Sequence, residues 1–332
     1  MPATQSATQK PACVDIRSSG DIHEQAELLD TWHQEYCQIS NGGFDGSVVS
    51  IRADGIRLFV EGMNRAVLQK GDVGNRKLAL GIPLKLTGHS VLCGETTCLD
   101  SLHIFSGHSG FEFLSPEGLL FIGLEFTLPS ASSPGDEQLL IRELQSELQR
   151  GNRVIPVEPQ QAHAFRTSLC SIFERLKADP ALLTDSRSLS TFKRIAFGAV
   201  LELLAHRDEQ INPGTGAIAT NWRLASHVRA LVEDAPDCPM SVVELALRLG
   251  VSRRTIQYAC QNALGVKPTS YLRAVRLSGV RRDLRNVCSV TEAATRWGFW
   301  HFGNFARDYR MMFGELPSHT LKRMSGTHPV SG

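Results

Sequence analysis

Residues 240–265 read MSVVELALRLGVSRRTIQYACQNALG, and this stretch decides the fold of the C-terminal third. Ser241 followed three residues later by Glu244 has the form of a capping box, in which hydroxyl and carboxylate each satisfy a first-turn backbone N–H. Val242, Leu245, Ala246 and Leu249 then recur at helical spacing and predict one apolar face. Gly250 ends that helix, and after a three-residue turn Ser252 is a fresh N-cap. In the helix that follows, Ile256, Ala259, Cys260 and Leu264 face inward, which leaves Arg253, Arg254, Gln257 and Tyr258 outward. Two short helices around a Gly turn, the second presenting long polar side chains from its N-terminal end, suit reading of the DNA major groove. That groove is about 12 Å wide, and Arg and Gln can each make two hydrogen bonds to a guanine or adenine edge. Taken alone, Arg253 and Arg254 would read equally well as a solvated helix face; the surrounding motif favours DNA. Cys260 lies inward and reads as packing.

The arrangement recurs downstream. Ser289 and Glu292 repeat the capping-box spacing, Val290, Ala293 and Ala294 give a short apolar face, and Gly298 marks the turn. A second recognition helix is predicted from His301 to Phe313, with Phe305, Tyr309, Met312 and Phe313 inward and Gly303, Asn304, Arg307 and Arg310 outward. Trp297, Phe299 and Trp300, at the corner, are expected in the core. Between the units, Pro268 to Arg285 reads as one continuous helix with Tyr271, Leu272, Val275 and Leu284 inward. Arg273, Arg276, Arg281, Arg282 and Arg285 are expected to carry charge for solvent or phosphates. A rigid connector would let one chain enter two successive major grooves about 34 Å apart.

The second unit, TEAATRWGFWHFGNFARDYRMMFGELPSHTLKR, resembles the signature of the AraC/XylS family of transcription regulators through Gly298-Phe299, Phe305, Tyr309 with Phe313, and the run Gly314-Glu315-Leu316-Pro317-Ser318. The first unit is similar through LALRLGVSRRTIQ and Leu264-Gly265 followed by Pro268. The resemblance covers residues 221 to 325. It implies an all-helical, seven-helix domain contacting tandem major-groove segments, with Arg254, Gln257 and Tyr258 reading bases from the first unit and Phe302, Gly303, Asn304 and Arg307 from the second. Gly303 brings no side chain and His301-Phe302 is bulky, so the second unit is expected to read bases less well and to anchor phosphates. Within the family the wording is similar to the branch of the ethanolamine-utilisation regulator, a likeness of the DNA domain that does not determine an effector. The family also implies activation through RNA polymerase.

Outside this region the composition is that of a globular chain: 332 residues, 42% hydrophobic, enough for two domains. The net charge of +1 conceals an asymmetry. Residues 221 to 332 hold 16 Lys and Arg against 8 Asp and Glu, net +8, leaving 19 against 26, net −7, for the first 220. Such a division suggests that one domain meets a polyanion. From about Phe44 to Thr127 the text is strand-like: SVVSI and IRLFV flank Asp54-Gly55, a hairpin-turn dipeptide, and KLALGIPL, HSVLCG, LHIFSG, GFEFL and GLLFIGLEF follow between Gly, Pro and Ser. Leu140, Leu144 and Leu148, then Phe165, Leu169, Ile172, Phe173 and Leu176, then Phe192 to Leu204 mark helices. The expected architecture is α+β. A loose tail (1–20) leads into a β-rich sandwich or barrel-like sensor and dimerisation domain with helices (21–207), a linker (208–220), the all-α domain with two helix-turn-helix units (221–325) and a second loose tail (326–332).

The eight cysteines are scattered and read as reduced thiols, no leader opens the chain, and no apolar run reaches the roughly 18 residues of a bilayer span, so a cytoplasmic protein acting at the nucleoid is expected. His89, Cys93, Glu95, Cys98, His103 and His108 invite a metal reading, but their spacing matches neither paired zinc knuckles nor the metal-binding cupin pattern. GHSGF from Gly107 fails the nucleophile-elbow pattern at its last position. Neither an enzyme, a metal nor a cofactor is therefore expected. Double-stranded promoter DNA, RNA polymerase, a small-molecule effector and a second copy of the chain are the expected partners, with no membrane. An architectural DNA-binding protein and an enzyme with an appended DNA-binding domain are the rival readings.

Overall fold

Alternation decides the N-terminal half. In the strand Ile56–Met63, Leu58 and Phe59 are both buried yet belong to different cores, because successive side chains leave a strand on opposite faces. The computed structural model describes residues 12–53, 55–128, 136–205, 207, 216–287 and 289–325. Its first part contains β1 (Cys13–Ser19), α1 (Ile22–Glu27), β2 (His33–Gln38), β3 (Gly46–Ala53), β4 (Ile56–Met63), β5 (Val67–Asp72), β6 (Lys77–Lys85), β7 (Val91–Leu92), β8 (Glu95–Thr96), β9 (Ser101–Ser106), β10 (Phe111–Ser115) and β11 (Leu119–Thr127). After these come α2 (Asp136–Gln149), β12 (Val154–Pro156), α3 (Pro159–Ala178) and α4 (Ser186–Ala205).

The strands form a sandwich of two unclosed antiparallel sheets, one ordered β1-β3-β4-β11-β6-β9-β12 and the other β2-β5-β10-β7-β8. Phe59, Phe105 and Phe121 of the larger sheet meet Trp32, Phe111 and Phe113 inside the sandwich, mostly edge to face. The outer face, through Leu58, Leu80, Ile122 and Leu124, is covered by α2, α3 and α4 with Leu140, Phe165 and Phe197. The β3–β4 hairpin turns where the sequence placed it, with Gly55 at φ +79°; Asp54 lies outside the described residues.

Two expectations at the margins need correction. Cys13–Ser19 is no loose tail: it pairs with β3 over seven residues as an edge strand, held by the main-chain ladder while Ile16 stays exposed. The remainder of that tail, residues 1–11, lies outside the described residues, as do 326–332. Between Gly20 and Phe44 lie α1, capped by Asp21, and β2. The expected linker is shorter, because Ala217, Ile218, Ala219 and Thr220 form the first turn of a helix; residues 208–215 lie outside the described residues.

Among the described residues the C-terminal part holds seven helices: α5 (Ala217–Asp234), α6 (Val242–Leu249), α7 (Arg253–Leu264), α8 (Pro268–Asp283), α9 (Val290–Arg296), α10 (Phe302–Phe313) and α11 (Pro317–Ser325). They do not hang apart from the sandwich. One continuous apolar cluster runs from Trp32, Phe59 and Phe111 through Trp222 and Tyr271 to Trp297, Tyr309 and Phe313. Polar contacts reinforce the seam: Trp222 Nε1 donates to Glu112 at 2.9 Å, Gln38 Nε2 to the Met312 carbonyl at 2.6 Å, and the Gly42 amide to the Met311 carbonyl at 2.9 Å.

Candidate nucleic-acid interface

The first helix pair is built as its sequence dictates. Ser241 Oγ accepts from the Glu244 amide at 3.3 Å and the Glu244 carboxylate accepts from the Ser241 amide at 2.7 Å, which completes the capping box. Those bonds hold the Glu244 carboxyl below its ordinary pKa. Gly250 ends α6 at φ +66°, and Ser252 Oγ accepts from the Thr255 amide at 3.0 Å to start α7. Ile256, Ala259, Cys260 and Ala263 are fully buried, and burial pushes the Cys260 thiol up to about 12, leaving it inert.

With that face committed to the core, Arg253, Arg254, Gln257 and Tyr258 are exposed. Arg254 lies over the Tyr258 ring, 5.3 Å from its centroid, and Nη2 donates to the phenolic oxygen at 2.7 Å. The pair is a pre-ordered guanidinium, so little rotamer freedom remains to be lost on meeting a base or phosphate.

In the second unit Ser289 Oγ accepts from the Glu292 amide at 3.4 Å; the reciprocal bond of the capping box is not formed among the described residues. Phe305, Tyr309, Met312 and Phe313 are buried, and Phe302, Gly303, Asn304, Arg307 and Arg310 are exposed. Asp308 partly offsets this face, standing 3.7 Å from Arg307 and 3.6 Å from Arg273. Between the units α8 runs sixteen residues, about 24 Å at the usual rise, with Tyr271, Leu272, Val275 and Leu277 buried. Gly279 lets the Trp297 ring lie on the helix: an added Cβ would fall 2.3 Å from the ring.

Two readings of the sequence are corrected here. The α8 arginines are not a uniform cationic face. Arg281 is buried and donates to Asp21 and Glu315, each at 2.8 Å; Arg285 meets Glu27 at 2.7 Å; and Arg276 bonds the Met240 carbonyl. Arg273 remains exposed. Asp21 is fully buried; burial alone would raise its pKa, but Arg281, with His23 and the His23 amide, holds its carboxyl far below the usual range. Trp300, expected in the core, is 61% exposed beside Phe302 at the entrance of α10, whereas Trp297 is buried and donates to Asp283. An exposed Trp at a recognition-helix entrance is a contact candidate missed from sequence, because the inward position of its turn is already filled by Phe299 packing on Phe305.

The six residues considered for a metal disperse. His103 is buried among Phe105, Phe113 and Phe121, where burial pulls its pKa to about 3. His89 faces the Ala263 carbonyl at 3.0 Å, and Glu95 accepts from the Arg153 amide at 2.9 Å. Among the described residues no group of three or more His, Cys, Asp or Glu could hold a metal ion, and no helix is long and apolar enough to cross a membrane.

Comparison with known proteins bears on the same helices. The family model described as "Helix-turn-helix domain" matches residues 245–323, from α6 into α11. The "Probable thc operon regulatory protein" of Rhodococcus erythropolis is 41% identical over 88 residues, 25% of this chain and 26% of that protein. Over these residues the chain is similar to the helix-turn-helix domain of such a regulator. "XylDLEGF operon transcriptional activator 3" of Pseudomonas putida is 40% identical to the chain over 96 residues, 28% of this chain and 29% of that protein. The crystal structure of "a probable AraC family transcriptional regulator" from Rhodopseudomonas palustris CGA009 is 36% identical, covering 31% of this chain and 97% of its own, at a TM-score of 0.28. The chain spans about a quarter of the length of the curated relatives it matches. The AraC/XylS-type likeness therefore concerns the DNA-binding domain.

Proposed function

We propose that the chain is a sequence-specific DNA-binding transcription regulator that responds to a small effector and activates a catabolic operon. The observation that carries the reading is that α7 and α10 each turn a complete apolar face into one core and leave Arg253, Arg254, Gln257 and Tyr258, and Phe302, Gly303, Asn304, Arg307 and Arg310, exposed. Phosphate contacts from the +8 region supply the salt-sensitive part of the affinity, and the two helices supply sequence choice. In α7 the Arg254–Tyr258 pair and Gln257 read base edges; in α10 Arg307 and Arg310 anchor phosphates around Asn304.

The sandwich serves as sensor and as the surface for a second copy, RNA polymerase is the partner at the promoter, and the setting is the cytoplasm and its nucleoid. The protein performs no catalysis in this reading. Repression by the same contacts remains the alternative outcome at a given promoter. Selection of bound fragments from genomic DNA by the full chain tests the reading: a recurring motif upstream of a few operons is expected. Equal recovery of all sequences would replace it by an architectural DNA-binding role.

A further inference from the structure

The entrances of the two reading helices carry different chemistry. Between Arg253 and Gln257, α7 exposes long polar side chains. At the entrance of α10 the exposed residues are Trp300, His301, Phe302, Gly303 and Asn304, and the first arginine, Arg307, comes more than a turn later with Asp308 3.7 Å away. Trp300 is 61% exposed and Phe302 44%. The turn before α10 holds the indole outward: Gly298 stands at φ +77°, where a Cβ would fall 2.4 Å from Pro239, and Phe299 already fills the inward position with its ring centroid 5.1 Å from that of Phe305. Trp300 and Asn304 line one groove of about 410 Å³ together with Arg273 and Ser241. A Cβ built on Gly303 would meet nothing within 4 Å among the described residues, so this turn of backbone can approach a surface closely.

We infer that Trp300, with Phe302 beside it, is a specificity-determining residue that packs on the C5-methyl group of thymine. The N-terminal residues of a recognition helix are the ones that reach base edges, and here the large ones are aromatic. Among the groups that base pairs present in the major groove, the thymine methyl is the apolar one. The α10 entrance therefore selects one or two thymines by apolar contact, whereas α7 selects purine edges by hydrogen bonds. Gly303 lets the helix entrance sink towards the bases, and Arg307 and Arg310, further along, stay with the phosphates. The inference rests on the DNA-binding reading above and adds the chemistry by which its second reading head chooses bases.

The probe is the duplex recovered by genomic selection with the full chain, in which each thymine in turn is replaced by deoxyuridine, a change that removes the C5-methyl and keeps the base pair. With the unaltered chain, one or two replacements should weaken binding about fourfold each, the worth of one buried methyl group. Trp300→Ala should bind the all-thymine duplex about tenfold more weakly and no longer distinguish thymine from deoxyuridine at those positions, while Trp300→Phe keeps part of the distinction. Trp32, Trp222 and Trp297 are at most 7% exposed, so acrylamide quenching reports mainly on Trp300, and the selected duplex should shield it. Equal binding of every deoxyuridine duplex, unchanged binding by Trp300→Ala, or an indole as readily quenched on the duplex as off it would overturn the inference; the second outcome would leave the aromatic pair to a protein partner. The deoxyuridine series uses the unaltered protein and stands even should a variant fail to fold. Sequence-specific binding that ignores the methyl groups sinks this inference alone, whereas binding without any sequence preference sinks the regulator.

Discussion

Replacing Arg281 by Met removes the closest cation from a carboxylate with no solvent contact. Asp21 is 0% exposed and faces Arg281 at 2.8 Å, Arg323 at 3.3 Å and Arg285 at 3.6 Å. Breaking a buried pair by deleting one partner costs about 3–5 kcal/mol, since the remaining charge stays buried. Arg285 and Arg323 remain and place the cost at the lower end, about 3 kcal/mol. At about 2.1 cal/mol/K per residue, a 332-residue chain unfolding as one unit has an entropy of about 0.7 kcal/mol/K, which converts that cost into a fall in Tm of about 4 °C. Unfolding as one unit is expected because the apolar cluster is continuous across the seam. The variant Asp21→Asn with Arg281→Met discharges both partners and should recover at least about 1.5 kcal/mol of the summed single losses. Thermal unfolding of the four proteins of this cycle is the assay. A fall below about 1 °C for Arg281→Met, or additive losses in the double variant, would refute the claim that this pair joins the sandwich to the DNA-binding domain.

Two further outcomes follow from the packing, from the half-buried His23 and from the buried His103. Gly279→Ala should destabilise by about 1–3 kcal/mol in a denaturant titration despite alanine's better helix propensity, because its Cβ would fall 2.3 Å from the Trp297 ring; a stabilised variant would contradict the α8–α9 packing. Burial lowers the pKa of His23 to about 4 and that of His103 to about 3, so both stay neutral in the folded protein while the unfolded chain binds protons near 6.5. Their contribution is complete above pH 6.5 and is lost as pH falls towards 4 and 3. The urea midpoint should therefore drop between pH 7.5 and 4.5, and a constant midpoint would remove both groups from the account.

The legible part of the molecule was the part governed by neighbours in sequence. The Ser241–Glu244 cap, the Gly250 turn, the inward faces of α7 and α10 and the β3–β4 hairpin rest on spacings of two to four residues, where side-chain chemistry and helix or strand period act directly. What escaped was set at long range. Arg281 looks like any other arginine of a basic helix, and its partner Asp21 lies 260 residues away. Cys13–Ser19 carries little apolar signal because an edge strand is held by main-chain bonds to β3. Trp300 was misplaced because periodicity assigns a bulky aromatic to the core whether or not the position is already filled.

The central claim is that α7 and α10 enter consecutive major grooves of one duplex, and methylation interference on the selected site with the full chain tests it most directly. The account predicts two patches of interfering guanines about one helical turn, 10–10.5 base pairs, apart. Arg254→Ala should erase the patch assigned to α7 at a cost of about 1–3 kcal/mol and leave the other in place, and Arg307→Ala should weaken binding without altering base choice in the first. A single patch, or loss of both from either substitution, would show that the two helices do not read DNA as a tandem pair.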